Sequence, residues 1–218
     1  MAWTTPSTWV AGAILTAAQL NTQLRDNILC GGPIYATEAL RNTDSPSPFE
    51  GQRAYITGST VATAVGGASG STAIPTGIQT IYNGSAWVCV TPVGANSATL
   101  ATTTSTSYVT TLTSDATAIS ATLSTGTSAL VTINAVSYHS GTFTNWLSFD
   151  VSGATTVAAS DTNGSSGAFY AANATLTQAR SWIVTGLTAG TNTFRLNYKT
   201  SGATASYQTR SIVVQGVA

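Results

Sequence analysis

His139, in Ser137-Tyr138-His139-Ser140-Gly141, is the only histidine in the 218 residues. One imidazole does not fill a multi-histidine metal site, and nothing marks the serine and aspartate that a Ser-His-Asp triad would hold against it. It reads as an ordinary surface or turn histidine. The patterns Gly-x-Ser-x-Gly, His-Glu-x-x-His and the P-loop are missing. The glycines of Gly66-Gly67-Ala68-Ser69-Gly70 do not follow a strand and open a helix, as a phosphate cradle requires. Asp161-Thr162-Asn163-Gly164 begins like a calcium loop but lacks the bidentate acid that closes one, so a turn is expected. Glycoside hydrolysis needs two carboxylates flanking one bond. Of the seven acids, only Asp115, Asp150 and Asp161 could converge in the C-terminal half, and a strand face and two turns account for them. Cys30 and Cys89 form no C-x-x-C pair and read as buried free thiols. No catalytic residue, metal site or cofactor is expected, and the chain reads as a non-enzyme.

The aromatic residues are more suggestive. Tyr108, Tyr138, Trp146, Tyr170, Trp182, Tyr198 and Tyr207 all fall after residue 106. Most should fill a core, while Trp146, Tyr170 and Trp182 are candidates for a surface or interface, where amphipathic rings are favoured.

The elements that would position these residues are mostly strands. Trp146–Val151 and Thr193–Lys199 alternate apolar and polar side chains, and Ser128–Tyr138, Ala179–Leu187 and Ala205–Val214 complete the stronger runs. Weaker ones fall at 107–113, 116–122, 154–159 and 167–171. Short strands separated by glycine turns predict an antiparallel two-sheet sandwich over 107–218, preceded by a linker at 95–106. Residues 33–94 read as a small β module. Its best signal is Ile78–Tyr82, Asn83-Gly84, Ser85–Val90, a hairpin with a type I′ turn and with Ile78, Tyr82, Trp87 and Cys89 on one face. Gly58–Gly77 reads as an exposed loop, functional or held by a neighbour. In residues 1–32, Thr16 and Gln19 form a capping box flanked by Leu15 and Leu20. Leu20, Leu24 and Ile28 then make an apolar stripe that Gly31-Gly32-Pro33 ends. A helix of about 13 residues is marginal alone, so this stripe needs a partner.

Composition points the same way. Seven Lys plus Arg balance seven Asp plus Glu, and charged residues are only 6% of the chain, against about 25% in an ordinary domain. A nucleic-acid binder needs a basic patch, yet the only lysine is Lys199 and the arginines are scattered, so nucleic acid is excluded as a partner. No apolar run approaches a membrane span, and Met1–Pro6 lacks the features of a signal peptide, which predicts synthesis in the cytoplasm and no membrane partner. With so little charge to keep copies apart, oligomerisation is expected.

Ala2-Trp3-Thr4-Thr5-Pro6-Ser7-Thr8-Trp9-Val10-Ala11-Gly12, followed by Leu15-Thr16-Ala17-Ala18-Gln19-Leu20-Asn21-Thr22-Gln23-Leu24-Arg25-Asp26-Asn27, resembles the start of tail-fibre and minor tail proteins of actinobacterial bacteriophages. Pro48–Gln52 through Ile81–Trp87 is similar to a small β module that recurs in such virion proteins. Gly186–Gly202 resembles a turn and strand of trimeric jelly rolls of the tumour-necrosis-factor type found in phage fibres. These resemblances imply a mainly β virion component, a short tail fibre or minor tail protein, sited on the tail rather than the head. They imply anchoring through Trp3, Trp9, Leu15, Leu20, Leu24 and Ile28, a homotrimeric jelly-roll sandwich, and other phage virion proteins as partners. A capsid-decorating head fibre is the alternative, as is a carbohydrate-binding adhesin whose Trp and Tyr stack on a host cell-surface glycan.

Overall fold

The computed structural model describes Thr16, residues 32–73 and residues 77–218. The expected N-terminal helix with Trp3, Trp9, Leu15, Leu20, Leu24 and Ile28, and Cys30 beside it, lie outside the described residues. In chain order the elements are β1 (Ile34–Tyr35), α1 (Glu38–Asp44), β2 (Arg53–Ile56), β3 (Thr63–Val65), β4 (Thr72–Ala73), β5 (Ile78–Tyr82), β6 (Trp87–Cys89) and β7 (Val93–Ser97). There follow β8 (Ala101–Thr103), β9 (Ser120–Thr125), β10 (Ser128–His139), β11 (Thr144–Gly153), β12 (Ser165–Ala168), β13 (Thr175–Thr185), β14 (Gly190–Thr200) and β15 (Ala205–Val217). The chain is mainly β, with antiparallel sheets.

A small sheet, β1-β2-β5-β6, carries the helix. Thr37 caps α1 by accepting the Leu40 N–H, and Arg41 lies buried with its guanidinium 4.5 Å over the Trp87 ring. The sequence reading missed this helix because under two turns leave no periodicity to detect. The expected hairpin is present, with Tyr82 opposite Trp87 and their rings 5.6 Å apart. Its turn differs from the type I′ expectation. Only Gly84 takes a positive φ, and the Asn83 side chain accepts from the N–H groups of Ser85 and Ala86 instead.

Two larger sheets face each other across one core. The front sheet runs β13-β10-β15-β7-β4, with β8 also on β15, and the back sheet runs β12-β11-β14-β9-β3. From β9 to β15 most consecutive strands alternate between the sheets, consistent with a jelly roll. Val131, Ile133, Ile212 and Val214 of the front sheet meet Leu123, Leu147, Phe149, Phe194 and Leu196 of the back sheet, all essentially inaccessible. The long strands sit where apolar alternation places them: β10 buries every second residue along all 12 positions.

Three expectations are corrected by the register. Residues 95–106 are no linker: β7 pairs antiparallel with Val93–Ser97 against Val214–Arg210 of β15, and β8 pairs Ala101–Thr103 against Tyr207–Ala205. The serine, threonine and alanine there looked like low complexity because the residues buried in this stretch, Ala95, Ser97 and Ala101, are all small. The Gly58–Gly77 stretch is not an exposed loop throughout, since β3 extends the back sheet on β9 and β4 the front sheet on β7. Of the weaker runs, 107–113 and 154–159 make only isolated bridges: Val109 to Tyr198, Leu112 to Asp115 and Thr113 to Thr102 in the first, Val157 to Val151 in the second.

Candidate functional surfaces

A β-bulge in β15 organises the first cluster. Between the pairs Asn134–Ser211 and Val136–Gln208, β15 sets two residues, Thr209 and Arg210, against the single Ala135 of β10, with Thr209 at a φ of 51°. The bulge sends Arg210 into the interior, where only 1% of its side chain is accessible. There its Nη2 donates to Asp115 Oδ2 at 2.5 Å, to Ser97 Oγ at 3.0 Å and to the Thr99 carbonyl at 3.2 Å. Asp115 also accepts from Ser97 Oγ at 2.6 Å and from the Ala68 N–H at 3.0 Å. Burial alone would raise the Asp115 carboxyl. The hydrogen bonds from Ser97 and Ala68, together with the guanidinium, outweigh it and hold the group below the usual carboxylate range. Burial pushes the nearby Tyr198 phenol up to about 12 despite the Arg210 charge. The cluster fastens the 66–70 loop. A Cβ on Gly67 would stand 2.2 Å from Asp115 Oδ2, and one on Gly70 1.8 Å from the Asn96 carbonyl oxygen, so both positions need glycine for close approach.

The outer face of the back sheet carries the second cluster. Lys199 Nζ lies 4.6 Å from the Trp146 ring and 4.8 Å from the Tyr108 ring, and it contacts Asp161 Oδ1 at 2.5 Å. Asp161 also accepts from the Tyr108 hydroxyl at 2.9 Å. The Lys199 hydrogen bond, helped by Tyr108, holds the Asp161 carboxyl below its ordinary value, while burial and Asp161 push the Tyr108 phenol up. Alongside, Arg195 grips Asp150 with two bonds of 3.0 Å, and Ser148 donates to the carbonyls of Ser160 and Asn163. The 160–163 turn is thereby strapped onto the sheet. Asp115, Asp150 and Asp161 therefore do not converge: each is matched to a different cation, and no two share a hydrogen-bond partner.

His139 is not at the surface as the sequence suggested. It is 1% accessible; its Nδ1 accepts from the Gly141 N–H at 2.9 Å, and its Nε2 faces the Gly202 carbonyl at 2.8 Å and Thr200 Oγ1 at 3.0 Å. The proton therefore sits on Nε2. Phe143 and Phe169 flank the ring, and the alternation of β10 through its last residue was the missed signal. Cys89, expected as a buried free thiol, is free and fully buried, and burial raises its thiol pKa.

The three candidate aromatics are not brought together. Trp146 is half-buried with Lys199 across its face. Trp182 is half-buried against Phe149 at 5.1 Å, with the Arg180 guanidinium 4.8 Å over its ring, and it lines a cleft of about 270 Å³ with Val157 and Asn163. Tyr170 is 90% exposed in the turn between β12 and β13.

The outer face of the front sheet has a different chemistry. In-register partners share a face, so Ile183, Leu130 and Gln215 form one row, Ser181, Thr132 and Val213 the next, and Ala179, Asn134, Ser211 and Asn96 a third. Of the charged residues of these strands, Arg210 is buried, and Arg180, exposed on the edge strand, lies on the inner side opposite core Ile133 and donates to the Gly164 carbonyl. No charge projects from this face of β13, β10, β15 or β7. Ile183 and Val213 are exposed upon it, and a hollow of about 310 Å³ opens beside the bulge between Asn96, Asn134, Thr209 and Ser211. The side chains of Asn134, Thr209 and Ser211 make no hydrogen bond among the described residues.

Among the described residues no group of three or more His, Cys, Asp and Glu side chains is placed to hold a metal ion, and no helix is long and apolar enough to cross a membrane. No protein-family model matches the chain, and no curated protein is similar to it. Among solved structures, Eiger TNF from S. frugiperda is 10% identical with a TM-score of 0.42, the match covering 58% of this chain and 92% of that one. The Podospora anserina GH26-CBM35 β-(1,4)-mannanase is 17% identical with a TM-score of 0.29, over 59% of this chain and 28% of that one. The enzymatically active domain of bacteriophage CBA120 tailspike protein 4 is 12% identical with a TM-score of 0.28, over 74% of this chain and 19% of that one. The chain thus spans under a third of the length of the mannanase and of the tailspike domain.

Proposed function

We propose that the chain is a non-catalytic structural component of a bacteriophage particle, a short tail fibre or minor tail protein held through residues 1–32 and presenting its jelly-roll sandwich as a homotrimer. The observation that carries this reading is the distribution of charge. Of the few charged side chains of the sandwich, Asp115 and Arg210 form a buried pair, Asp150, Arg195, Asp161 and Lys199 gather on the back sheet, and Arg180 lies on the inner side of the edge strand β13, which leaves one broad face neutral. Such a face belongs to a part that works covered, inside an assembly. The resemblance of Ala2–Asn27 to the start of phage tail proteins supplies the kind of assembly. Deletion of residues 2–29 is expected to abolish incorporation into particles while the sandwich keeps its far-ultraviolet circular dichroism. A folded, truncated protein that still co-purifies with virions would remove the anchor.

A second reading, contact with a host-surface glycan, draws on Tyr170, whose ring is offered to solvent. In that case Tyr170→Ala should lower adsorption of particles to host cells without changing their yield, and unchanged adsorption would exclude it.

A further inference from the structure

From the neutral front face we infer that β13, β10, β15 and β7 form a self-association surface whose occupant is the sandwich of a second copy of this chain. This rests on the assembly reading above but names a surface that the reading does not require.

Three observations support it. The face has no ionic side chain over three strands of 11 to 13 residues, whereas the back sheet, of similar size, carries Asp150, Arg195, Lys199 and Asp161. A partner of opposite charge would find nothing here to recognise, while a neutral face of hydroxyl, amide and aliphatic groups is complementary to itself. At ordinary strand spacings the three long strands and β7 cover about 600 Å². Two copies would then bury about 1,200 Å², above the roughly 1,000 Å² that a specific interface needs. Exposed Ile183 and Val213 supply apolar contact. The unpaired groups of Asn134, Thr209 and Ser211 around the hollow supply hydrogen-bond partners that would fix the register of one copy on the next.

The test uses the full chain, because β3, β4 and β7 all contribute to the sandwich. Wild-type protein at micromolar concentration should sediment at equilibrium as a multiple of the single-chain mass. Val213→Lys and Ile183→Lys should each weaken association about 100-fold or more by placing a charge in the contact. Thr191→Lys, on an exposed position of the back sheet, should assemble like wild type. Ile183 stands on the edge strand with 56% of its surface exposed, so its substitution keeps the test valid even where Val213→Lys does not fold. A wild-type chain that sediments as a monomer overturns the inference, as do lysine variants that assemble normally. Particle incorporation is scored separately. A monomer that enters virions sinks the surface and the homotrimer but leaves the particle reading standing, and an oligomer absent from virions sinks the particle reading alone.

Discussion

Asp115→Ala is expected to lose about 3–5 kcal/mol of stability in urea unfolding, because it leaves the Arg210 guanidinium buried without its counter-ion. Both side chains are almost wholly inaccessible, and Arg210 keeps only neutral partners, Ser97 and the Thr99 carbonyl, once the carboxylate is gone. The Ala68 N–H loses its acceptor at the same time, so the 66–70 loop should become the first segment to exchange its amide protons. Asp150→Ala, which breaks a pair with Arg195 41% exposed, should cost about 1 kcal/mol or less. A comparable loss for the two variants would show that the buried pair is not the fastening it is described as. The same carboxyl gives a pH dependence of definite sign. Its folded pKa lies below the unfolded value of about 3.9, so its contribution is complete above that value and vanishes as pH falls through the lower, folded one. Thermal scans from pH 6 down to pH 2 should show the melting temperature of wild type falling below about pH 4. Asp115→Asn should melt lower at neutral pH and fall less steeply in acid.

Phe149→Ala should be equally damaging, at about 3–5 kcal/mol, because it empties the middle of the core. The ring is fully buried, 6.1 Å from Phe194 and 5.1 Å from Trp182, and so ties the back sheet to the front one. The cavity would also remove one of the two groups that flank Trp182, leaving Arg180. Its tryptophan emission should therefore shift to the red well before global unfolding. Phe149→Leu should recover more than half of the loss, and an alanine variant as stable as wild type would mean that the sheets are held together elsewhere.

Much of this architecture was legible in the residues. The long strands β10, β11, β14 and β15 announce themselves by apolar alternation, strict in β10 and interrupted in the others, which a half-buried sheet imposes on the sequence that forms it. The Tyr82–Trp87 hairpin followed from Asn83-Gly84, although the Asn83 side chain, not a pair of positive φ angles, closes its turn. What escaped were elements whose evidence is held by their partners. β3, β4, β7 and β8 are short runs of Thr, Ala, Ser and Gly, and such residues become strands only because β9, β15 and β7 present an edge to them. Arg210 and Asp115 lie 95 residues apart and no local pattern links them. A bulge of one extra residue in β15 turns the arginine inward, and no local motif announces it. The neutral front face was half visible: the shortage of charge was plain in the composition, but its concentration on one side required the register.

Two very short strands at the border of the sandwich have a consequence for life at high local concentration. β3 and β4, only three and two residues long, finish the back and front sheets at the same end. An exposed strand that brief gives a stray chain too few amides to zip onto, and it covers part of the longer β9 and β7 behind it. At the other end of the front sheet, β13 holds its one arginine inward, a charge that an incoming strand would have to bury. A protein with so little surface charge relies on these blunted borders, more than on repulsion, to stay out of amyloid-like stacking while many copies are packed side by side.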